Sequence, residues 1–301
     1  MGAELALVTD ALVRATPLMI AGLAVALAFR GGVFNIGAEG QLLVGAAAAT
    51  TVSLAGHAFF GRGVVVIALA AAAVAGGCWA AIAAELRRRF RVLEIISTIM
   101  LNFIAIYLVS FLVRGPLQEP THIYPQTESL PAAARLPILV PGSRLHLGFA
   151  LGVAAAVLLS WVFRKTAIGF RIRATGASPL AAFTAGRIDV SRTSFLVFLF
   201  SGALAGIAGG IEVTGVTFAL YENLSPGYGY TGIAVALIAG LNPLGIIASG
   251  IFFGALETGA SALQREFAVP SSIASVVEAA LIIGVLTLTA IRNRRVPGRA
   301  S

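Results

Sequence analysis

The sequence predicts an all-α fold: a polytopic membrane bundle of about 8–9 transmembrane helices, with some segments broken or re-entrant. Three observations predict it. Of 301 residues 58% are hydrophobic and only 11% charged, and the mean hydropathy of +0.94 is far above what a soluble core requires. Apolar runs of roughly the 17–25 residues that cross the hydrocarbon layer recur along nearly the whole chain. Arginine is confined largely to alternate connections between those runs.

Nine runs are candidates for spans: 12–29, 40–60, 64–84, 94–113, 145–163, 194–214, 228–241, 244–263 and 273–291. The first leads directly into Arg30 and lacks a basic leader, so it reads as a retained helix rather than a signal peptide. Gly31, Gly32, Gly37, Gly40 and Gly45 weaken a simple helix at the start of the second, which either crosses or re-enters. The fourth opens on Glu94 and carries Asn102 at mid-span. Run 228–241 is short, Gly-rich and followed by Asn242-Pro243; it is either a broken helix inside the bundle or half of a hairpin with 244–263. The small-residue stretches SGALAGIAGG at 201–210 and GALETGASAL at 254–263 permit close helix approach.

Alternation with the last helix ending inside puts 30–39, 85–93, 164–193, 242–243 and 292–301 in the cytoplasm. These segments hold 15 of the 21 basic residues, so the positive-inside rule selects this topology. The N-terminus and the Pro-rich segment 114–144 are then external, the latter an irregular loop with a short helix near 129–134. The net charge of +8 follows from topology, and no basic stripe interleaved with aromatics marks a nucleic-acid partner.

Covalent chemistry finds no support. His57, His122 and His146 are scattered, and no HExxH, GxSxG or Walker A pattern occurs, so uphill transport would draw on ions or on a separate ATPase. Cys78, the one cysteine, excludes a disulfide and reads as a buried apolar thiol. Segment 164–193 is long, carries six basic residues against Asp189, and contains a short helix from Pro179 to Ala185 with Ser178 as N-cap. It is either a topology anchor or a docking surface.

KTAIGFRIRATGASPLAAFTAGRIDVSR followed by SGALAGIAGGIEVTG resembles the coupling region of ATP-binding-cassette importer permeases for branched-chain amino acids, simple sugars and nucleosides. ATPLMIAGLAVALAFRGGVFNIGAEGQLLVGA at 15–46 and LSPGYGYTGIAVALIAGLNPLGIIASGIFFGAL at 224–256 look closest to the nucleoside branch, and the likeness runs from about residue 11 to 291. The resemblance implies a type II-like permease over residues 1–301, in a bacterial plasma membrane. It also implies a second homologous permease, a cytoplasmic ATPase that binds ATP and Mg, and an external solute-binding lipoprotein; this chain itself would hold no cofactor and no metal. Lys165, Gly169, Arg173, Gly176, Ala177, Ala181 and Gly186 fall where such permeases meet the ATPase. An Asn is usual where Ala177 or Ser178 stands, and a further helix is usual ahead of Thr16, which this chain begins too late to hold.

The polar residues inside apolar runs are candidates for the solute path, because lipid tolerates them only against protein, water or cargo. Asn35, Glu39 and Gln41 lie at one span entry, where Glu39 either bonds helix N-terminal amides or faces the path. Asn102 is interhelical glue or a path residue, with Phe103 and Tyr107 as an aromatic wall. Glu212, Glu222 and Tyr228 belong to an external vestibule; Glu257 and Glu278 need a partner or a cavity. Alternating access moves a nucleoside in this reading, and the alternatives are a sugar or branched-chain amino acid as cargo, or an ion-coupled carrier.

Overall fold

The computed structural model describes residues 3–267 and, beyond them, Val276, Ala279, Ala280, Ile283, Gly284 and Thr287. Most of the predicted span 273–291, with Glu278 and the arginines that follow it, lies outside the described residues. Helix α1 (Ala3–Arg30) is the axis of the molecule. Every residue from Ala15 to Ala28 is buried, as expected of a helix apolar on all sides, and α1 packs against α5 (Leu147–Lys165), α8 (Val190–Glu212), α9 (Tyr228–Ile238) and α10 (Pro243–Phe267).

Helices α2 (Ala38–Phe60) and α3 (Val64–Phe90) form a continuous apolar stretch that turns back at Gly61–Gly63, where Gly61 has φ +50°. Gly45 and Gly76, about equally far from that turn, both rest on Gly206 of α8. A side chain at any of the three would drive the backbones apart, so the small-residue run at 201–210 acts as the seam that locks α8 against the hairpin. α4 (Glu94–Arg114) completes this side.

Among the described residues six helical stretches are long and apolar enough to cross a membrane, the α2–α3 stretch counted as one, and secondary structure beyond helix is confined to two isolated bridges. Within the described residues the predicted spans match helices to within four residues, apart from α1, which begins nine residues earlier, and α3, which runs six residues further; 228–241 falls on the short α9, which is not among the six, and the external short helix shrinks to a 3-10 turn at Ala132–Ala134. Cys78 corrects the sequence reading: it is exposed on α3, since the lipid-facing side of a span is as apolar as its packed side.

The basic connections converge on one end of the bundle. Arg30 donates through Nε to the Leu241 carbonyl (2.8 Å), Arg87 pairs with Glu94 (2.6 Å), and the Phe34 amide donates to Glu94 (2.8 Å). α6 (Ala167–Ala177) and α7 (Pro179–Gly186) lie at this basic end. At the opposite, loop end, segment 115–146 is stitched to the turn after α8 by Thr127 N to Leu220 O (2.9 Å), Leu130 N to Phe218 O (2.7 Å) and Leu136 N to Thr214 O (2.8 Å).

Candidate functional site

Two helices begin inside the bundle instead of at its ends. Gly206 lies about 24 Å into α8 and Gly76 about 21 Å from the basic end of α3, yet Gly45, at the same level, is only about 10 Å into α2. The chain therefore leaves α1 at the basic end and climbs back through 31–37 before α2 starts, so residues 31–45 re-enter. From the other side, the segment after α8 descends to start the 11-residue α9, about 16 Å long, and the turn that follows it carries the Leu241 carbonyl bound by Arg30. The short run at 228–241 thus begins as a helix inside the bundle and turns directly back into α10, where Ser249 Oγ donates to Val235 O (2.9 Å), so both sequence alternatives describe it.

The two interior helix starts meet at Glu39. Its Oε2 accepts from the Gly229 amide (2.7 Å) and Ser225 also bonds its carboxylate, while the Ser225 hydroxyl accepts from Gly227 N (3.2 Å) and Tyr228 N (3.0 Å). Glu39 itself sits in the first turn of α2. The carboxyl of Glu39, in the first turn of α2, therefore caps the start of α9 by taking up an amide that has no partner within that helix. Gly229 is required here, because a Cβ would fall on the backbone of Ala38 and Glu39.

Beside it, Asn35 and Gln41 form a closed pair. Asn35 Nδ2 donates to Gln41 Oε1 and to Ser201 Oγ (both 2.9 Å), Gln41 Nε2 returns a bond to Asn35 Oδ1 (2.9 Å), and Oδ1 also accepts from Gly37 N (3.0 Å). Ser201 passes the chain on to Ala24 O of α1 (2.7 Å). Asn102 ties α4 to the same junction: its Oδ1 accepts from Gly40 N (2.9 Å) and its Nδ2 donates to Ile36 O (3.0 Å) and Tyr230 Oη (3.1 Å). Asn35, Glu39, Gln41 and Asn102 are thus brought together and hydrogen-bonded to protein. Sequence reasoning missed Ser201 and Ser225, and it set Tyr230, beside the SPGYGYTG turn, in the external vestibule, whereas its hydroxyl meets Asn102.

Phe103 and Tyr107 do not join this cluster. They are 50% and 72% exposed, in line with Met100 and Phe111 on the outer face of α4, so the expected aromatic wall lies on the surface of the chain and not around Asn102.

At the loop end Glu222 pairs with Arg114 (2.6 Å) and accepts from Ser110, and these bonds push its pKa down to about 2. Glu212, 3% exposed, and Tyr228 border a cavity of about 520 Å³ with Arg14 and Arg144. Glu257 lies 3.9 Å from Arg14. Glu222 does not line that cavity, so the predicted vestibule divides into a tether and a cavity.

At the basic end the predicted helix is present: Ser178 caps α7 by accepting from Ala181 N (3.3 Å) and Pro179 is its first residue. Lys165, Arg173, Ala177, Ala181 and Gly186 are exposed, together with Leu180 and Phe183 at 75% and 66%. Gly169 and Gly176 turn inward instead. Gly169 meets the backbone of Val162 and Phe163, and Gly176 meets Arg30 and Gly32, so their missing side chains serve packing. Among the described residues no group of His, Cys, Asp and Glu is arranged to hold a metal ion.

A family model described as branched-chain amino acid transport system / permease component matches residues 7–286. The glucose ABC transporter permease protein TsgB13 of Haloferax volcanii is 38% identical over 96% of this chain and 78% of its own length. The guanosine ABC transporter permease protein NupP of Bacillus subtilis is 38% identical over 96% of this chain and 83% of its own. A second guanosine permease protein of that organism, NupQ, is 28% identical over 82% and 80%. No solved structure matches.

Proposed function

This chain belongs to the branched-chain amino acid transport system permease family of ABC transporters, and from that premise we propose that it is the membrane-spanning subunit of a nucleoside importer in a bacterial plasma membrane. Support comes first from α6 and α7: apolar Leu180 and Phe183 stand exposed among arginines at the basic end, outside the spans, where an apolar surface calls for a protein partner. That partner is a cytoplasmic ATPase, which binds ATP and Mg and performs the hydrolysis; this subunit performs no covalent step. Segment 164–193 couples the two.

The existence of two unlike guanosine permeases in one organism, both similar to this chain, supports a pair of homologous permeases with the solute path between them. The outer face of α4, with Phe103 and Tyr107, and the exposed ring of Tyr230 then face the path, and Asn35, Glu39, Gln41 and Asn102 hold the broken helices that line it. ATP binding closes the ATPase, the bundle alternates between its two open sides, and an external lipoprotein delivers solute to the loop end at segment 114–144.

The relative named for glucose favours a second reading, a sugar as cargo. Guanosine and glucose share a ring with vicinal hydroxyls. Uptake of labelled guanosine and glucose is to be measured in vesicles carrying this chain with its second permease, ATPase and lipoprotein. Guanosine uptake that is lost on replacing the ATPase Walker A lysine supports the proposal. Glucose uptake alone moves the cargo to sugars, and uptake indifferent to the ATPase change replaces the importer with an ion-coupled carrier.

A further inference from the structure

The cavity at the loop end is built from polar groups of mixed sign. It lies between α1, α8, α10 and the turn after α8, and its volume of about 520 Å³ is within the usual range for small-molecule pockets. Glu212 lines it from the last turn of α8, and among the described residues its Oε2 is buried without a hydrogen-bond partner. A buried carboxyl oxygen with nothing to accept from is costly in any protein and more so at membrane depth, so its retention points to a donor from outside the described residues. Arg14 lines the same cavity and forms a long ion pair with Glu257 at 3.9 Å, so among the described residues its guanidinium shows an ion pair without a hydrogen bond. Tyr228 and Thr258 add hydroxyls, and the Thr258 hydroxyl spends its proton on Gly254 O (2.8 Å) and so offers only acceptance to a solute.

A wall that presents a carboxyl oxygen as acceptor and guanidinium donors to one small volume complements a solute whose adjacent hydroxyls each donate one hydrogen and accept another. We propose that this cavity is a holding station for the sugar ring of the solute, in which Glu212 accepts from vicinal hydroxyls and Arg14 donates to them. The inference rests on the importer reading above and deepens it: the ring, and not the base, is read at the loop end of this chain.

The test is uptake by the full complex of uridine against 2′,3′-dideoxyuridine, in the wild type and in Glu212→Gln and Arg14→Gln. The lipoprotein is common to every arm, so its own discrimination cancels. The wild-type preference for the diol, as a ratio of kcat/KM, is expected to fall by up to about tenfold in each variant, the effect of one hydrogen bond lost from the diol. An unchanged ratio overturns the proposal even where the overall rate drops, because a merely structural role lowers both substrates alike. Inhibition by excess leucine that disappears in Glu212→Gln assigns the cavity to an amino-acid zwitterion and also overturns it. If the complex carries glucose and no nucleoside, the cargo reading fails on its own, and the same ratio with glucose and 2-deoxyglucose decides the role of the cavity. Arg14 is 38% exposed, so its variant keeps the test open if Glu212→Gln does not assemble.

Discussion

Replacing Glu39 by Gln and by Ala separates a carboxylate that holds the helix starts from one that handles solute. The carboxylate accepts from Gly229 N at 2.7 Å and from Ser225. Gln keeps an acceptor in the same place but lowers a charge-assisted bond to a neutral one, a loss of about 1 kcal/mol. Ala removes the acceptor, leaves the Gly229 amide orphaned at the start of α9, and costs about 3 kcal/mol when the small cavity is included. At roughly 2–4 °C per kcal/mol, the thermal midpoint of the purified complex is expected to drop by about 2–4 °C for Gln and about 6–12 °C for Ala. Uptake at a temperature where all three forms are folded is expected to follow the same order, with Gln within about fivefold of wild type. A Gln variant of full thermal stability that transports nothing would refute the reasoning, because the charge would then be needed by the solute and not by the helices.

Three further outcomes are expected. Gly206→Ala places a Cβ against the Ala72 carbonyl and Gly76 and is expected to cost about 3 kcal/mol or more through overpacking, read as loss of monodisperse protein in detergent; Gly259→Ala, with open space around it, is the control that leaves yield unchanged or improved. Glu222 has a pKa held down to about 2, below the ordinary carboxylate value, so the stability it contributes is fully present above about pH 4.5 and is lost as pH falls toward 2. The turn after α8 is therefore expected to resist proteolysis down to about pH 3 in wild type and to be cut at every pH in Glu222→Gln. Gly176→Val, which pushes a side chain into Arg30 and Gly32, is expected to leave ATP hydrolysis by the complex intact while uptake falls at least about tenfold, measured on the same vesicles.

Span positions were legible because hydropathy reports contact with hydrocarbon or with an apolar core, and either one suffices to draw the boundaries of α2, α4 and α10. The same property hides which side of a helix faces in. Phe103, Tyr107 and Cys78 stand on apolar helices whose lipid side and packed side use the same residues, so no periodicity told that all three point outward. Polar residues inside spans were conspicuous, and Asn35, Glu39, Gln41 and Asn102 do meet. Their partners were not: the amide that Glu39 accepts from belongs to Gly229, far along the chain, and a backbone donor has no signature in a sequence. Glycine showed where chains come close but not to what; Gly169 and Gly176, expected to meet a partner, face other backbone of this chain.

That inward turn bears on how motion at the basic end could reach the polar junction. A Cβ on Gly32 would lie 2.9 Å from Gly176 Cα, so the C-terminal turn of α6 rests directly on the chain as it leaves α1, with no side chain between to yield. Gly32 holds φ +73°, a conformation that fixes the direction in which 33–37 climbs toward Asn35. Three residues later Asn35 is clamped by Gln41 and Ser201, and Glu39 is fixed to the start of α9. Packed backbone and satisfied hydrogen bonds are stiff, whereas side-chain contacts absorb small shifts by changing rotamer. A displacement of α6 is therefore delivered to the two interior helix starts instead of being dissipated, and those starts are held by bonds that a tilt of α9 would have to break together.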